Sequence, residues 1–114
     1  MAFIARWRLT WVYTAGDYGQ MQTLADLKHV HIVGVGGTLM GAFAAFLKRA
    51  GVRVTGSDGP IYPPMSDVLK AAGIETFVGY DAANLSKVGR PDLVVIGNVI
   101  RRDNVEARAA IDGK

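Results

Sequence analysis

A long uncharged segment sets the strongest limit on the fold of this chain. The nineteen residues 29–47 contain no Asp, Glu, Lys or Arg, and a helix of that length is long enough to span a bilayer. However, the segment contains Gly34, Gly36, Gly37 and Gly41, and its apolar period changes partway along. It begins as an apolar, β-branched run and continues with apolar residues at helical spacing. We therefore predict a buried strand, a glycine turn and a helix, and no membrane span.

The alternation of strand and helix continues along the chain. The predicted strands are mainly apolar and alternate with helical segments, which indicates a parallel sheet covered by helices on both faces. Right-handed crossovers then give the strand order 3-2-1-4 of a doubly wound α/β fold. The predicted strands are 29–35, 52–56, 74–78 and 93–96. The predicted helical segments are a helix over 38–50, a helix that begins at Pro63-Pro64, a short helical turn at 81–85 and a last helix that runs through Ala110.

Apolar spacing also predicts which helix faces are buried. Asp103, with Glu106 three residues later, resembles a capping box for the last helix. A doubly wound domain is expected to add at least one more strand, so we interpret the chain as truncated at its C-terminal end, with its fourth strand left at an open edge. The predicted stripes are Leu39, Phe43, Phe46, Leu47 and Ala50 in the first helix, and Met65, Val68, Leu69 and Ala72 in the second.

Residues 1–28 differ in character from the rest of the chain. They contain both tryptophans, Trp7 and Trp11, and two of the four tyrosines. Aromatic and β-branched residues favour a short strand over 3–13. We predict a peripheral N-terminal extension over 1–28 and a single folded domain over 29–114.

The composition excludes several classes of function. A length of 114 residues corresponds to about one domain. Without cysteine there is no disulfide or thiolate chemistry, and only two histidines are available for a metal. The 13 basic and 10 acidic residues are spread along the chain, unlike the clustered basic face of a nucleic-acid binder. Because neither a nucleophile with a base nor a catalytic pair of acids is apparent, we predict no catalytic residue and no metal site.

The segment from Gly34 to Gly41 gives the clearest chemical signal. A helix N-terminus offers unpaired N–H groups and positive potential to a phosphate, and glycine lets the phosphate approach the backbone. Thr38 adds a hydroxyl donor. The third glycine of a dinucleotide fingerprint would fall at Leu39, and no Lys-Ser or Lys-Thr closes a P-loop. The loop therefore predicts a phosphate site and leaves the identity of the nucleotide open.

Polar residues follow the second and fourth predicted strands. Asp58 is expected beside the loop, where a carboxylate can accept hydrogen bonds from ribose hydroxyls. Asn98 follows the fourth strand at the same edge and has the donors and acceptors to bind a base or sugar. Both residue types are also common in plain turns. We interpret the pair Arg101–Arg102 as solvated and His31 as a packed side chain of the core. His29 is no more persuasive as a ligand than His31.

Three segments resemble those of a known family. Residues 31–41 (HIVGVGGTLMG) resemble the opening of the Mur ligases, ATP-dependent enzymes that build the peptidoglycan peptide. Residues 55–66, with the run Tyr62-Pro63-Pro64-Met65-Ser66, and residues 91–98 (PDLVVIGN) resemble the murein peptide ligase branch, which joins L-alanyl-γ-D-glutamyl-meso-diaminopimelate to UDP-N-acetylmuramate in cell-wall recycling. The resemblance covers about residues 29–112 and implies a Rossmann-like first domain whose glycine loop receives the diphosphate of the UDP-sugar.

The resemblance also implies a set of binding residues at matching positions. Tyr80 departs from the histidine that is common in the alanine-adding relatives, which leaves its role open. The implied set is Gly34, Gly36, Gly37, Thr38 and Met40 around the diphosphate, Ser57 and Asp58 at the uridine, and Gly79, Tyr80, Asn98 and Val99 around the base or sugar.

The implied function is that of a ligase domain in the cytoplasm. The resemblance implies that ATP and magnesium act in a central domain outside this chain, that this chain binds UDP-N-acetylmuramate without catalysing a reaction, and that the murein tripeptide is a partner of the full-length enzyme. It implies no nucleic-acid or membrane partner. Two alternatives stay open: the corresponding domain of the alanine-adding ligase, and a nicotinamide dinucleotide-binding module. Asp58 favours the dinucleotide module, and Leu39 argues against it.

Overall fold

A single sheet organises the described part of the chain. The computed structural model describes residues 4–7, 10–14, 27–87, 89–97, 100–101 and 103–112. The strands found there join in one sheet with the order β1-β2-β6-β3-β4-β5. They are β1 (Ile4–Trp7), β2 (Thr10–Thr14), β3 (His29–Val33), β4 (Arg53–Asp58), β5 (Glu75–Val78) and β6 (Leu93–Ile96). The helices are α1 (Thr38–Arg49), α2 (Met65–Ala71), a 3-10 turn (Ala82–Leu85) and α3 (Val105–Asp112).

The predicted parallel core is confirmed. β3 pairs in parallel with both β4 and β6, and β4 pairs in parallel with β5. Counted along the chain, these four strands have the order 3-2-1-4 expected from right-handed crossovers. Because the strands are parallel, the carboxyl ends of β3, β4 and β6 meet at one edge of the sheet, where ligands of open α/β sheets bind.

The N-terminal segment corrects two expectations. Instead of one strand over 3–13, β1 and β2 form an antiparallel pair in which Trp7 lies opposite Thr10. β2 then pairs in parallel with β6, with Val12 opposite Val94. The outer edge of the fourth parallel strand is therefore covered and is not open. The row of backbone donors and acceptors along β6 finds partners on both sides, as buried backbone groups require.

Helix α1 packs with a different face from the one predicted. Leu47 is buried as expected, but Leu39 and Phe46 are 55% and 50% exposed. The buried residues are Met40, Gly41, Ala44, Ala45 and Leu47. Small residues on this face bring the helix close to its neighbours: a methyl group added at Gly41 would come within 2.0 Å of the Met65 methyl carbon. Close packing, rather than the largest apolar stripe, determines the rotation of the helix.

Helix α2 is attached mainly through Leu69, its fully buried residue. Val68, predicted on the buried stripe, is 41% exposed. The core on this side of the sheet combines Val30, Ile32, Val54, Leu93 and Val95 of the strands with Met40, Ala44, Leu47 and Leu69 of the two helices. Among the described helices, none combines the length and apolarity that a membrane span needs.

The opposite face of the sheet is covered by α3 and the 3-10 turn. Val33, Val94 and Ile96 pack there against Ala107 and Ala110. The predicted capping box at Asp103 is wrong: the Asn104 side chain accepts from the N–H groups of Glu106 and Ala107, each at 3.0 Å. The Glu106 side chain is instead fully buried under the sheet.

A line of buried polar groups links the sheet to α3. Oγ1 of Thr55 lies 2.9 Å from Nε2 of His29 and 2.8 Å from Nδ1 of His31. Nε2 of His31 donates to Oε2 of Glu106 at 2.6 Å. The expectation that His31 is packed in the core is confirmed, and His29 is also buried. Each polar atom in this line has a partner, which offsets the cost of burying it.

Removing residues 1–14 tests the role of the N-terminal strands. The outer edge of β6 would lose its partner strand, and an apolar edge with free N–H and C=O groups pairs readily with other chains. We expect self-association that increases with concentration, measured by sedimentation velocity beside the full chain. A shortened chain that stays monomeric at every concentration at which the full chain is monomeric would contradict this expectation.

The buried histidine at the start of β3 predicts an acid-sensitive stability. Burial, followed by the nearby Arg53 cation, lowers the pKa of His29 from 6.5 to about 4. As pH falls between these values, the unfolded chain binds a proton that the folded chain excludes, so the free energy of unfolding decreases. We expect H29Q, which keeps a side-chain hydrogen-bonding group for Thr55 but does not titrate, to flatten this dependence.

Urea denaturation between pH 6.5 and 5 separates this effect from that of Glu106. The folded pKa of Glu106 lies below its usual 4.5, so the stability from that carboxylate is lost only at lower pH. An H29Q chain with the same pH slope as the parent chain in this window would show that His29 is not the titrating group.

Candidate functional site

The glycine loop begins where β3 ends, at the carboxyl edge of the sheet. Gly34 has a φ of +90°, a conformation that favours glycine. Its N–H and that of Val35 both donate to the Ser57 carbonyl, at 2.8 and 3.1 Å. The entrance of the loop is therefore fixed to β4 by two backbone hydrogen bonds.

Asp58 lies beside the loop, as its place after the second parallel strand predicts. The N–H of Gly36 donates to Oδ2 of Asp58 at 2.8 Å. A methyl group added at Gly36 would lie only 2.8 Å from the same Oδ2 atom and 3.0 Å from Ile61 Cγ1. Glycine is needed here because the side chains of Asp58 and Ile61 approach the backbone closely.

The first turn of α1 presents backbone donors to solvent. Gly37 occupies the N-cap position, forms no side-chain cap, and is followed by a first turn without an acidic residue. The Gly41 N–H donates to the Gly37 carbonyl at 2.7 Å and closes the first turn. The N–H groups of residues 38–40 lie ahead of it and have no acceptor within the helix. With the positive end of the helix dipole, they can bind an anion.

The predicted residues of the loop divide into exposed and buried groups. Gly37 and Thr38 are exposed, so the Thr38 hydroxyl is accessible to a ligand. The Met40 side chain is buried in the core, which leaves its backbone N–H as the group that faces the helix start. At Gly37 the nearest atom to an added methyl group is the Gly34 carbonyl oxygen, 3.7 Å away. A side chain at this position would fit without disturbing the fold.

Tyr80 joins the loop through Asp58. Its hydroxyl donates to Oδ1 of Asp58 at 2.8 Å, and the Gly59 N–H donates to the same oxygen at 2.7 Å. Burial, together with the hydrogen bond to Asp58, raises the pKa of Tyr80 to about 12. The hydroxyl therefore keeps its proton at neutral pH and donates to the carboxylate. With Gly36, the Asp58 carboxylate accepts three hydrogen bonds.

The Ser57 side chain does not reach the loop. It is fully buried, and its Oγ donates to Oε2 of Glu106 at 2.7 Å, on the α3 side of the sheet. Side chains alternate along a strand, so Ser57 and its neighbour Asp58 point to different surroundings. The direct role of Ser57 at a uridine remains a prediction, and its observed contribution to the loop is the backbone carbonyl.

The carboxyl end of β6 also meets the loop. The Gly97 N–H donates to the Val33 carbonyl at 3.0 Å, and a methyl group added at Gly97 would lie 3.4 Å from Met40 Cγ. Asn98, Val99 and Arg102 lie outside the described residues. Arg101 is exposed and pairs with Asp103 at 3.5 Å.

The run Tyr62–Ser66 contacts α1 through Met65. Ile61, just before it, approaches Gly36, and the end of the Met65 side chain lies against Gly41. Tyr62 is exposed. The segment that most strongly suggests the murein peptide ligase branch is therefore adjacent to the glycine loop.

Sequence reasoning missed Glu106 and Asn84. Oε1 of Glu106 accepts from Asn84 Nδ2 at 2.7 Å and from the Asp81 N–H at 3.2 Å. Burial alone would raise the pKa of Glu106, but hydrogen bonds from His31, Ser57 and Asn84 outweigh it and lower the pKa. Two signals were available: a histidine in an apolar strand needs a buried partner, and Glu106 lies four positions before Ala110 on the same helix face.

Within the described ranges, no three His, Asp or Glu side chains come together in a way that could hold a metal ion. The chemistry available at the loop is the binding of an anion by backbone N–H groups, with polar groups at its side.

Comparison with known proteins finds relatives among the UDP-N-acetylmuramate ligases. The relatives include a UDP-N-acetylmuramate--L-alanyl-gamma-D-glutamyl-meso-2,6-diaminoheptandioate ligase of Haemophilus influenzae, 47% identical over 78 residues, which are 68% of this chain and 17% of the relative. A UDP-N-acetylmuramate--L-alanine ligase of Arthrobacter is 46% identical over 90 residues, 79% of this chain and 18% of the relative. The chain thus spans less than a fifth of the length of these curated relatives.

A solved structure and a family model complete the comparison. The crystal structure of the UDP-N-acetylmuramate:L-alanyl-gamma-D-glutamyl-meso-diaminopimelate ligase from Neisseria meningitides has a TM-score of 0.70 and 46% identity, over 75% of this chain and 26% of that one. The model described as Mur ligase family, catalytic domain, matches residues 29–113. The chain therefore belongs to the Mur ligase family.

Proposed function

We propose that residues 29–114 form the UDP-N-acetylmuramate-binding, N-terminal domain of a peptidoglycan ligase, with residues 1–28 as an extension. The observation that carries the proposal is the exposed, uncapped start of α1 behind Gly36 and Gly37. Its free N–H groups and helix dipole match a diphosphate. Relatives whose names specify UDP-N-acetylmuramate as substrate supply the identity of the diphosphate.

The residues around the loop suggest how the two ends of the ligand are held. The diphosphate would lie against Gly34, Gly36, Gly37 and the N–H groups of Thr38 and Met40. A carboxylate has about four acceptor positions, and three donors already bind Asp58. One position is left for a ribose hydroxyl of the uridine.

The remaining predicted residues would complete the nucleoside site. Tyr80 would hold Asp58 in place, and Ser57 would act through its carbonyl, which fixes Gly34 and Val35. Asn98 and Val99 follow Gly97, which lies against the loop, and would close around the base or sugar.

The run Tyr62–Ser66 favours the murein peptide ligase over the alanine-adding ligase. In the longer protein, we propose, ATP and magnesium act outside this chain and the second substrate is the murein tripeptide. Ligases of both kinds are similarly close relatives of this chain, so the choice rests on that run. A cytoplasmic location follows from the proposed reaction, because its nucleotide substrates are made there.

The alternative of a nicotinamide dinucleotide site rests on Asp58. In that site, the carboxylate would accept both hydroxyls of an adenosine ribose. The three donors that already bind Asp58 and the leucine at position 39 argue against it.

Calorimetric titration with UDP-N-acetylmuramate, NADH and ATP distinguishes these functions. We expect the chain to bind UDP-N-acetylmuramate alone, because the proposed site is built for a diphosphate with a uridine at one end. Binding of NADH in its place would identify Asp58 as a dinucleotide ribose ligand and overturn the proposal.

A valine at position 37 tests the loop directly. G37V has room for its side chain at the nearest atom, 3.7 Å from an added methyl carbon, but it places bulk where the phosphate approaches the backbone. We expect the chain to keep its circular dichroism spectrum and to lose UDP-N-acetylmuramate binding by at least about tenfold, since one charge-assisted hydrogen bond is worth about that much.

The matched control is A42V, an exposed position one turn further along α1. It imposes the same β-branched side chain on the same helix without approaching the loop, so its affinity should equal that of the parent chain. Unchanged affinity in G37V would remove the glycine loop from the site.

A further inference from the structure

One buried carboxylate connects α3 to three other segments of the domain. Oε2 of Glu106 accepts from His31 Nε2 at 2.6 Å and Ser57 Oγ at 2.7 Å. Oε1 accepts from Asn84 Nδ2 at 2.7 Å and the Asp81 N–H at 3.2 Å. No part of the Glu106 side chain is exposed. Glu106 cannot contact a ligand at the loop, so any influence on binding must act through these donors.

The first connection to the loop passes through Ser57. Its hydroxyl is fixed by Glu106, while its carbonyl accepts the N–H groups of Gly34 and Val35 at 2.8 and 3.1 Å. The two hydrogen-bonding groups of one residue thus join the buried carboxylate to the entrance of the glycine loop.

The second connection passes through the segment 79–84. Glu106 holds this segment at Asp81 N–H and Asn84, and Asn84 also donates to the Gly79 carbonyl at 3.0 Å. Tyr80 lies between these attachments, and its hydroxyl binds Asp58. The other oxygen of Asp58 accepts the Gly36 N–H at 2.8 Å.

We propose that Glu106 is a positioning residue for the glycine loop, setting the backbone of Gly34, Val35 and Gly36 through both connections. This inference rests on the proposed function for its effect on ligand affinity. The ligand class is a nucleoside diphosphate, whose phosphates need N–H donors held in a fixed arrangement. α3 is thereby part of the binding apparatus, although it lies on the opposite side of the sheet from α1.

The chemistry requires a carboxylate at this position. Both oxygens of Glu106 accept, and the four groups around them all donate. In E106Q, an amide NH2 group replaces one of the two oxygens. This NH2 group is a donor and faces groups that also donate. The amide nitrogen cannot accept from the Asp81 N–H, and in the other orientation it forces Ser57 Oγ and His31 Nε2 to change from donors to acceptors. One of the two connections is therefore altered in either orientation.

Two variants and one spectrum test the proposal on the full chain. In the ¹H–¹⁵N spectrum of the unliganded protein, E106Q should move the amide signals of residues 34–36. S57A, a smaller change that removes only the hydroxyl, should move those of Gly34 and Val35 and leave Gly36 near its original position. Affinity for UDP-N-acetylmuramate should fall about tenfold in E106Q, the effect of losing one hydrogen bond to a charged group.

H29Q is the matched control for lost stability. It lies at the far end of the same buried line, separated from Glu106 by Thr55 and His31, and belongs to neither of the two connections to the loop. It should leave the amide signals of 34–36 and the ligand affinity unchanged while altering stability.

The outcomes separate this inference from the proposed function. If the parent chain does not bind UDP-N-acetylmuramate, the proposed function fails, and the amide signals still decide whether Glu106 positions the loop. Unmoved signals at 34–36 in both E106Q and S57A would overturn the positioning role. If E106Q does not fold, S57A still tests the first connection, at Gly34 and Val35.

Discussion

A buried charge under a parallel sheet has to be matched by donors, and the way this chain satisfies Glu106 determines much of its architecture. A single side chain from the last helix supplies the acceptors for His31, Ser57, Asn84 and the Asp81 backbone. Leaving any one of them unpaired would cost about 1–3 kcal/mol. The register of β3 against β4, the position of α3 and the path of the segment after β5 are thus fixed relative to one another.

Different interactions attach the helices to the two faces of the sheet. The face under α1 and α2 is apolar, and small residues such as Gly41 and Ala44 bring helix and sheet close together. The face under α3 combines a small apolar cluster with the polar line from His29 to Glu106. Dispersion and burial stabilise the first without directional preference, whereas hydrogen-bond geometry orients the second. The glycine loop lies where both meet.

The sequence predicts the strands and their order because apolar β-branched runs and right-handed crossovers leave few alternatives, and the strand Leu93–Ile96 has the predicted bounds. The closeness of Asp58 to Gly36 follows from the same topology. The face of α1 could not be predicted, because its rotation depends on the Met65 contact at Gly41. The role of Glu106 was hidden for a related reason: its spacing from Asp103 fits a local cap, and its actual partner His31 lies 75 positions away. The pairing of β2 with β6 depends on a segment without a periodic pattern.

Each hydrogen-bonding edge of β6 can pair with one strand at a time. β3 fills its inner side, and β2 fills its outer side. A right-handed return through α3 would bring any subsequent parallel strand to that same outer side. In a longer chain, such a strand and β2 would therefore compete for the same hydrogen-bonding edge of β6.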